Sequence, residues 1–259
     1  MLFSKEHQEY LKKAKKNKII VITLQILIFI SLFSIWELLS KKEIINTFLT
    51  SSPSLIAKTI INLFKSNNLF NHIYITIYET IISFVLSIII GLLIATILWW
   101  NKIIYKVLDP YLTILNSLPK VALGPILIIW IGANTKSIIA MALLISSIIS
   151  IMTIYNGFSS TDENKIKLMK SFNATKWQIY KMLVLRSNLN VIISSLKINI
   201  SMCLIGVIMG ELLVSKEGIG YLIMYGSQVF NLNLVMSGIF LLCIIAYILY
   251  FIISHLEKN

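Results

Sequence analysis

Four ionisable side chains fall inside or beside long apolar runs: Glu79, Lys120, Lys197 and Glu211. Charge at membrane depth is costly, and by default it marks a solute path or an ion relay. Glu79 and Lys197 stand close enough to an interface to snorkel, stems buried and heads in water. Lys120 follows a proline break, and Glu211 precedes a turn containing Gly218 and Gly220. Lys120 and Glu211, with Gly218 and Gly220, are therefore the candidates for a water-filled passage or its gate. Other chemistry is not written in the chain. There is no GxxxxGK[ST] to cradle a nucleotide phosphate, no HExxH and no GxSxG. His7, His72 and His255 lie near the ends of apolar runs or in the tail. Cys203 and Cys243 sit within such runs, which argues against a disulfide or a zinc site. No catalytic residue, no metal site and no cofactor is expected on this chain.

The other chemically informative stretch is polar and runs from Gly157 towards Tyr221. Ser160 with Glu163 fits a capping box, and Thr175 with Gln178 repeats the arrangement. Asn173 stands between them, where a first short helix should stop, and Asn tolerates the left-handed turn that ends helices. The pattern predicts a short helix, a tight Asn-Ala-Thr corner and a second helix entering the membrane. A surface helix fixed at both ends is suited to transmitting force to a partner.

The elements that must position these residues are membrane helices. The chain is 57% hydrophobic and 13% charged, and apolar runs near twenty residues recur; about twenty residues cross a hydrocarbon layer of ~30 Å. Six spans are expected: Ile19 to Trp36, Ile73 to Trp100, Pro110 to Ile131, Ile138 to Tyr155, Val191 to Val214 and Leu232 to Ile253. Leu118-Pro119 and Gly124-Pro125 must interrupt the third. Ser52-Pro53 starts an amphipathic helix before the second, with Leu55, Ile56, Thr59, Ile60, Leu63 and Phe64 on one face. In the fifth, Ser195, Asn199, Cys203, Gly206 and Gly210 form a small-residue stripe. Such a stripe allows close packing, within one subunit, at a dimer seam or along a passage wall.

The net charge of +12 clusters in the segments that flank apolar runs, so membrane orientation explains it better than nucleic acid does. With the N-terminus inside, fifteen basic residues face the cytoplasm, from Lys5, Lys12 and Lys13 through the large loop to Lys258; six face outwards. The bias puts both termini and the loop in the cytoplasm of a multi-pass inner-membrane protein.

Several motifs in order carry a resemblance. SSPSLIAKTI precedes the core, and His72, Thr76, Ser83 and Gly91 follow at a fixed spacing. LPKVALGPILIIWIG covers the broken span, and GELLVSKEGIGYLI holds Glu211, Gly218 and Gly220. Over nearly its whole length the chain resembles the membrane subunit of a bacterial ATP-binding-cassette importer of the nitrate/sulfonate/taurine permease type. The resemblance implies an all-α, six-helix type I importer permease fold with a cytoplasmic coupling helix between spans four and five. It divides the chain into a tail, first helix and amphipathic segment (1–71) and a five-helix permease core (72–259).

The importer loop signature registers here on Lys167, Leu168 and Met169, then Lys170, Asn173, Ala174 and Thr175, and ends at Leu183 and Leu185. It departs from the family at its Glu-Ala-Ala and its proline, and Glu79 stands where the family usually has a basic residue. The implied partners are two ATPase subunits that use ATP and Mg, an external solute-binding protein and a second permease copy. The implied function is passage of a small solute, such as a sulfonate, nitrate, taurine or a thiamine-precursor pyrimidine. A drifted, non-transporting scaffold and a secondary transporter relaying ions through Glu79, Lys120 and Glu211 are the rival readings.

Overall fold

Runs of apolar residues too long for any soluble helix dictate the architecture, and polar residues with turn chemistry decide where each run stops. The computed structural model describes residues 5–66 and 68–256; Lys258 lies outside them. In chain order the helices are α1 (Lys5–Lys41), α2 (Thr47–Thr50), α3 (Pro53–Lys65), α4 (Asn68–Trp100), α5 (Lys102–Ser117), α6 (Gly124–Ile131) and α7 (Thr135–Ser159). They continue with α8 (Glu163–Ser171), α9 (Lys176–Ile179), α10 (Leu185–Ser187), α11 (Leu189–Val214), α12 (Ile219–Gln228) and α13 (Leu232–Leu256).

Helices α4, α7, α11 and α13, with Lys13–Lys41 of α1, are long and apolar enough to cross a membrane. Counting α5 and α6 as one broken span bent by 89° makes six. The third span begins at Lys102 rather than Pro110, because the Asn101 side chain caps the helix by accepting from the Ile103 and Ile104 amides, and Pro110 is tolerated inside it. The break falls at Leu118, whose ψ of 141° is the extended conformation a following proline requires. Gly124-Pro125 does not kink a helix but opens α6, at a position where a missing N–H costs nothing.

Helix α7 packs between α4 and α11 to form the core of the bundle. Glycines allow the approach: a Cβ on Gly91 would lie 2.4 Å from Ser150 Oγ, and one on Gly206 would lie 2.4 Å from Ala142 Cα. The amphipathic helix starts where Ser52-Pro53 indicates, with Ser52 Oγ accepting from the Leu55 amide at 3.3 Å. Ile56 is its buried residue, Ile60 and Leu63 pack on the cluster around Leu204 and Leu241, and Phe64 turns out to solvent or lipid. This helix lies against α13, α4 and α1.

Candidate functional site

The polar loop is built from two helix ends and a corner. Helix α7 closes at Ser160, whose hydroxyl donates to the Gly157 carbonyl at 2.8 Å. Ser160 therefore does not cap α8. Asp162 does, accepting from the Asn164 amide at 2.8 Å. The expected Ser160–Glu163 box fails because that hydroxyl is already committed backwards, and a carboxylate two residues on is the better acceptor.

The corner itself is as the sequence indicates. Asn173 has φ +56°. The Ala174 amide bonds the Met169 carbonyl and the Asn173 amide bonds that of Lys170, at 3.0 and 2.9 Å, the paired bonds of a Schellman stop. Thr175 and Gln178 then form a reciprocal capping box: the Thr175 amide donates to Gln178 Oε1 at 2.7 Å, and the Gln178 amide to Thr175 Oγ1 at 3.3 Å.

After α9 the chain takes a π turn over Tyr180–Val184, which no sequence pattern announces. The reason is tertiary. Tyr180 is buried among Trp99, Trp100, Phe158 and Trp177, and its hydroxyl lies 2.7 Å from Thr96 Oγ1. Because the Thr96 hydroxyl donates to the Leu92 carbonyl at 2.6 Å, Tyr180 is the donor. Lys176 Nζ reaches the Trp100 carbonyl and lies 5.2 Å from the Trp100 ring centroid. Asn188 Nδ2 donates to Thr161 Oγ1 at 2.9 Å and to the Val184 carbonyl at 2.8 Å, tying the two ends of the loop together.

The loop residues singled out in sequence divide by face. Lys167, Leu168, Lys170, Asn173 and Thr175 are exposed. Met169, Ala174, Leu183 and Leu185 pack inwards on the cluster of Ala95, Leu98, Ile154, Phe158, Ile179 and Val184. Phe172, 76% exposed at the end of α8, belongs with the outward set; its place beside the Asn173 stop is the signal that could have found it.

At the opposite end of the bundle Glu211 joins three helices. Its Oε1 accepts from Thr76 Oγ1 of α4 at 2.7 Å, and its Oε2 from the Gly220 amide of α12 at 2.6 Å. Thr76 Oγ1 in turn accepts from the Ile219 amide at 2.9 Å, and His72 Nδ1 from the Gly218 amide at 3.0 Å. Gly218 has φ +98°, and a Cβ there would lie 2.4 Å from Glu211 Cδ. The turn needs glycine for its conformation and for room beside the carboxylate. Glu211 is 1% exposed, a clasp between helices.

Glu79 does not snorkel. It is 1% exposed, faces Glu211 and Thr135, and its Oε2 has no hydrogen-bond partner among the described residues. The signal was available: Thr76, Glu79, Thr80, Ser83 and Ser87 recur at helical spacing along one buried face of α4. Lys120 sits half-buried at the break between α5 and α6, with Nζ 3.4 Å from Asn116 Oδ1; Lys197 is half-buried on α11. The small-residue stripe of α11 is turned inwards. Asn199 Nδ2 donates to Ser87 Oγ at 2.9 Å, and a Cβ on Gly210 would lie 2.9 Å from Ile138 Cα. Of the three uses the stripe allowed, packing within one subunit accounts for Gly206 and Gly210. Among the described residues no group of His, Cys, Asp and Glu could hold a metal ion.

Five apolar spans, a sixth broken by 89°, and a capped surface helix pinned to the ends of α4 and α7 define a membrane permease of the type I ABC importer fold. The family model for the binding-protein-dependent transport system inner membrane component matches residues 87–257, and the chain belongs to that family; it is a permease subunit of an ABC importer.

The formylaminopyrimidine transport permease protein ThiX of Halalkalibacterium halodurans is 30% identical over 232 residues, which span 90% of this chain and 92% of that one. The putative aliphatic sulfonates permease SsuC of Bacillus subtilis is 24% identical, over 88% and 83%. Among solved structures, an inward-facing MetNI methionine ABC transporter matches with TM-score 0.66 at 18% identity, over 73% of this chain and 94% of that one. A bacterial ABC transporter that imports alginate matches with TM-score 0.65 at 14% identity, over 96% and 98%.

Proposed function

We propose that two copies of this permease form the passage of an importer whose ATP hydrolysis is carried out by two partner ATPases, with ATP and Mg bound there and not on this chain. An external binding protein delivers the solute, and both termini and the α8–α9 loop face the cytoplasm, as the distribution of lysine favours. The solute is small, of the aliphatic sulfonate or formylaminopyrimidine class named for the relatives above.

One observation carries the reading. The α8–α9 corner is stopped by backbone bonds around Asn173, restarted by the Thr175–Gln178 capping box, and bolted to α4 through Tyr180 and Lys176. A force applied to Lys167, Leu168, Lys170, Phe172 or Thr175 therefore reaches a membrane-spanning helix without passing through slack chain. ATP can shift the two access states only by binding them differently, and this corner is where the difference enters. At the far end, Glu211, Gly218 and Gly220 act as a gate clasp, and Lys120 lines the passage at the broken span.

The test is disulfide or bifunctional crosslinking from cysteines at Lys170 and Thr175 in the assembled transporter. Crosslinks to an ATPase subunit whose yield changes with ATP are expected. Absence of any ATPase crosslink from either position in an assembled, transporting complex would overturn the coupling role.

A further inference from the structure

Beneath the α8–α9 loop, where α4 and α7 end, lies a cavity of about 840 Å³. Four lysines line it, Lys102, Lys167, Lys170 and Lys176, against one carboxylate, Glu163. Lys176 is engaged with the Trp100 carbonyl and lies near the Trp99 and Trp100 rings. Lys102, Lys167 and Lys170 are in no ion pair among the described residues. Like charges gathered around one cavity repel each other, and an anion between them removes the repulsion.

The remaining walls favour one kind of anion. Ser159 and Thr161 bring hydroxyls and Asn101 an amide, while Trp99, Trp100, Tyr155 and Phe158 supply an apolar floor. Lysine is a point-charge phosphate binder, and hydroxyls and amides complete a phosphate's acceptor-rich shell. Tryptophans at the end of a span mark the level of the headgroups. Basic pockets between spans at that level suit anionic headgroups, and the volume lies in the range of small-ligand sites.

We propose that this cavity binds a phosphate-bearing anion, held by Lys102, Lys167 and Lys170 with its less polar part on the Trp99–Trp100 floor. The site shares Lys167 and Lys170 with the coupling face of the loop and rests on that reading through them, whereas Lys102 and the Trp99–Trp100 floor lie outside the loop. The phosphate could belong to an anionic lipid headgroup or to a free phosphate compound, and two arms of one experiment separate these sources.

In the first arm, the full-length chain is released from nanodiscs of mixed phosphatidylglycerol and phosphatidylcholine, and retained lipid is counted by native mass spectrometry. In the second, inorganic phosphate is titrated against the chain in phosphatidylcholine discs by equilibrium dialysis. Lys102→Gln is the test variant: Lys102 is exposed and lies outside the coupling loop. Lys106→Gln, on the same helix but not lining the cavity, is the control.

Preferential retention of phosphatidylglycerol, lowered about fivefold by Lys102→Gln as expected for one lysine near a membrane surface, supports the site with lipid as its source. Saturable phosphate binding lost in Lys102→Gln supports it with a soluble source. The proposal is overturned if neither arm shows binding, if Lys102→Gln matches the wild type in both, or if Lys106→Gln loses as much.

Discussion

Glu79 is the side chain least matched to its surroundings. It is almost fully buried, faces a second carboxyl, and leaves Oε2 without a partner. An amide at this position carries no charge and brings a donor towards Glu211. Glu79→Gln is therefore expected to stabilise the permease by about 1 kcal/mol, the net worth of one satisfied buried hydrogen bond, read as a higher unfolding midpoint in detergent. A lowered midpoint would mean that the carboxyl's contacts with Thr135 and Glu211 are worth more than those of the amide. Asn173 poses the opposite case, a residue well matched to a demanding backbone. Asn173→Gly should transport normally. Asn173→Val, a β-branched residue forced to positive φ, should strain the corner by about 1–2 kcal/mol and uncouple ATP hydrolysis from transport. Normal coupling in a folded Asn173→Val complex would show that the corner bears no force. Both the stop at Asn173 and the box at Thr175 were legible, because backbone chemistry at helix ends is local. Asp162 was not, because the choice between two adjacent caps turned on where the Ser160 hydroxyl points.

Among the elements, the long helices and the short helices with end signals of their own (α3, α8 and α9) were legible, while α12 and the π turn were not. Hydropathy and lysine placement locate the last three spans to within about four residues, since crossing a bilayer imposes length and polarity directly. The first three begin five to eight residues earlier than expected, because polar and basic residues continue their helices beyond the apolar run. Helix α12 has ten residues between Gly218 and Val229; its amides are held by Thr76 and Glu211 from other helices, a tertiary cause that periodicity cannot display. The π turn before α10 likewise follows from the seating of Tyr180. The α7–α11 contact gives the sharpest packing test. Gly206→Leu would drive a side chain into the Ala142 backbone, and overpacking of this kind costs about 1–3 kcal/mol or more. Lower yield of folded protein and an earlier melting transition are expected in the isolated subunit. An unchanged melting curve would mean that α7 and α11 separate more easily than their packing indicates.

For the whole molecule, orientation is the first thing to measure. Reporter fusions after Asn68 and Lys216 should report the outside, and fusions after Lys102 and Glu163 the cytoplasm. An external signal from the Glu163 fusion would place the loop beyond the reach of any cytoplasmic ATPase. If the orientation holds, α4 acquires a mechanical property. It is gripped near one end by Tyr180 at Thr96 and near the other by Glu211 at Thr76, and between them it closes on Ser150 of α7 at Gly91, where there is no room for a Cβ. At 1.5 Å per residue the arms on either side of Gly91 are about 7.5 Å and about 22 Å. A rigid rod pivoting there has unequal arms, so a displacement of about 1 Å at the loop would swing the clasp by about 3 Å. Gly91→Ala, which wedges the fulcrum against Ser150, should leave ATP hydrolysis running while transport falls. Spin labels across the clasp should then show a narrower spread of distances than in the wild type. An unchanged spread would mean that α4 is not the rod, and otherwise a small stroke at one membrane face opens a solute-sized gap at the other.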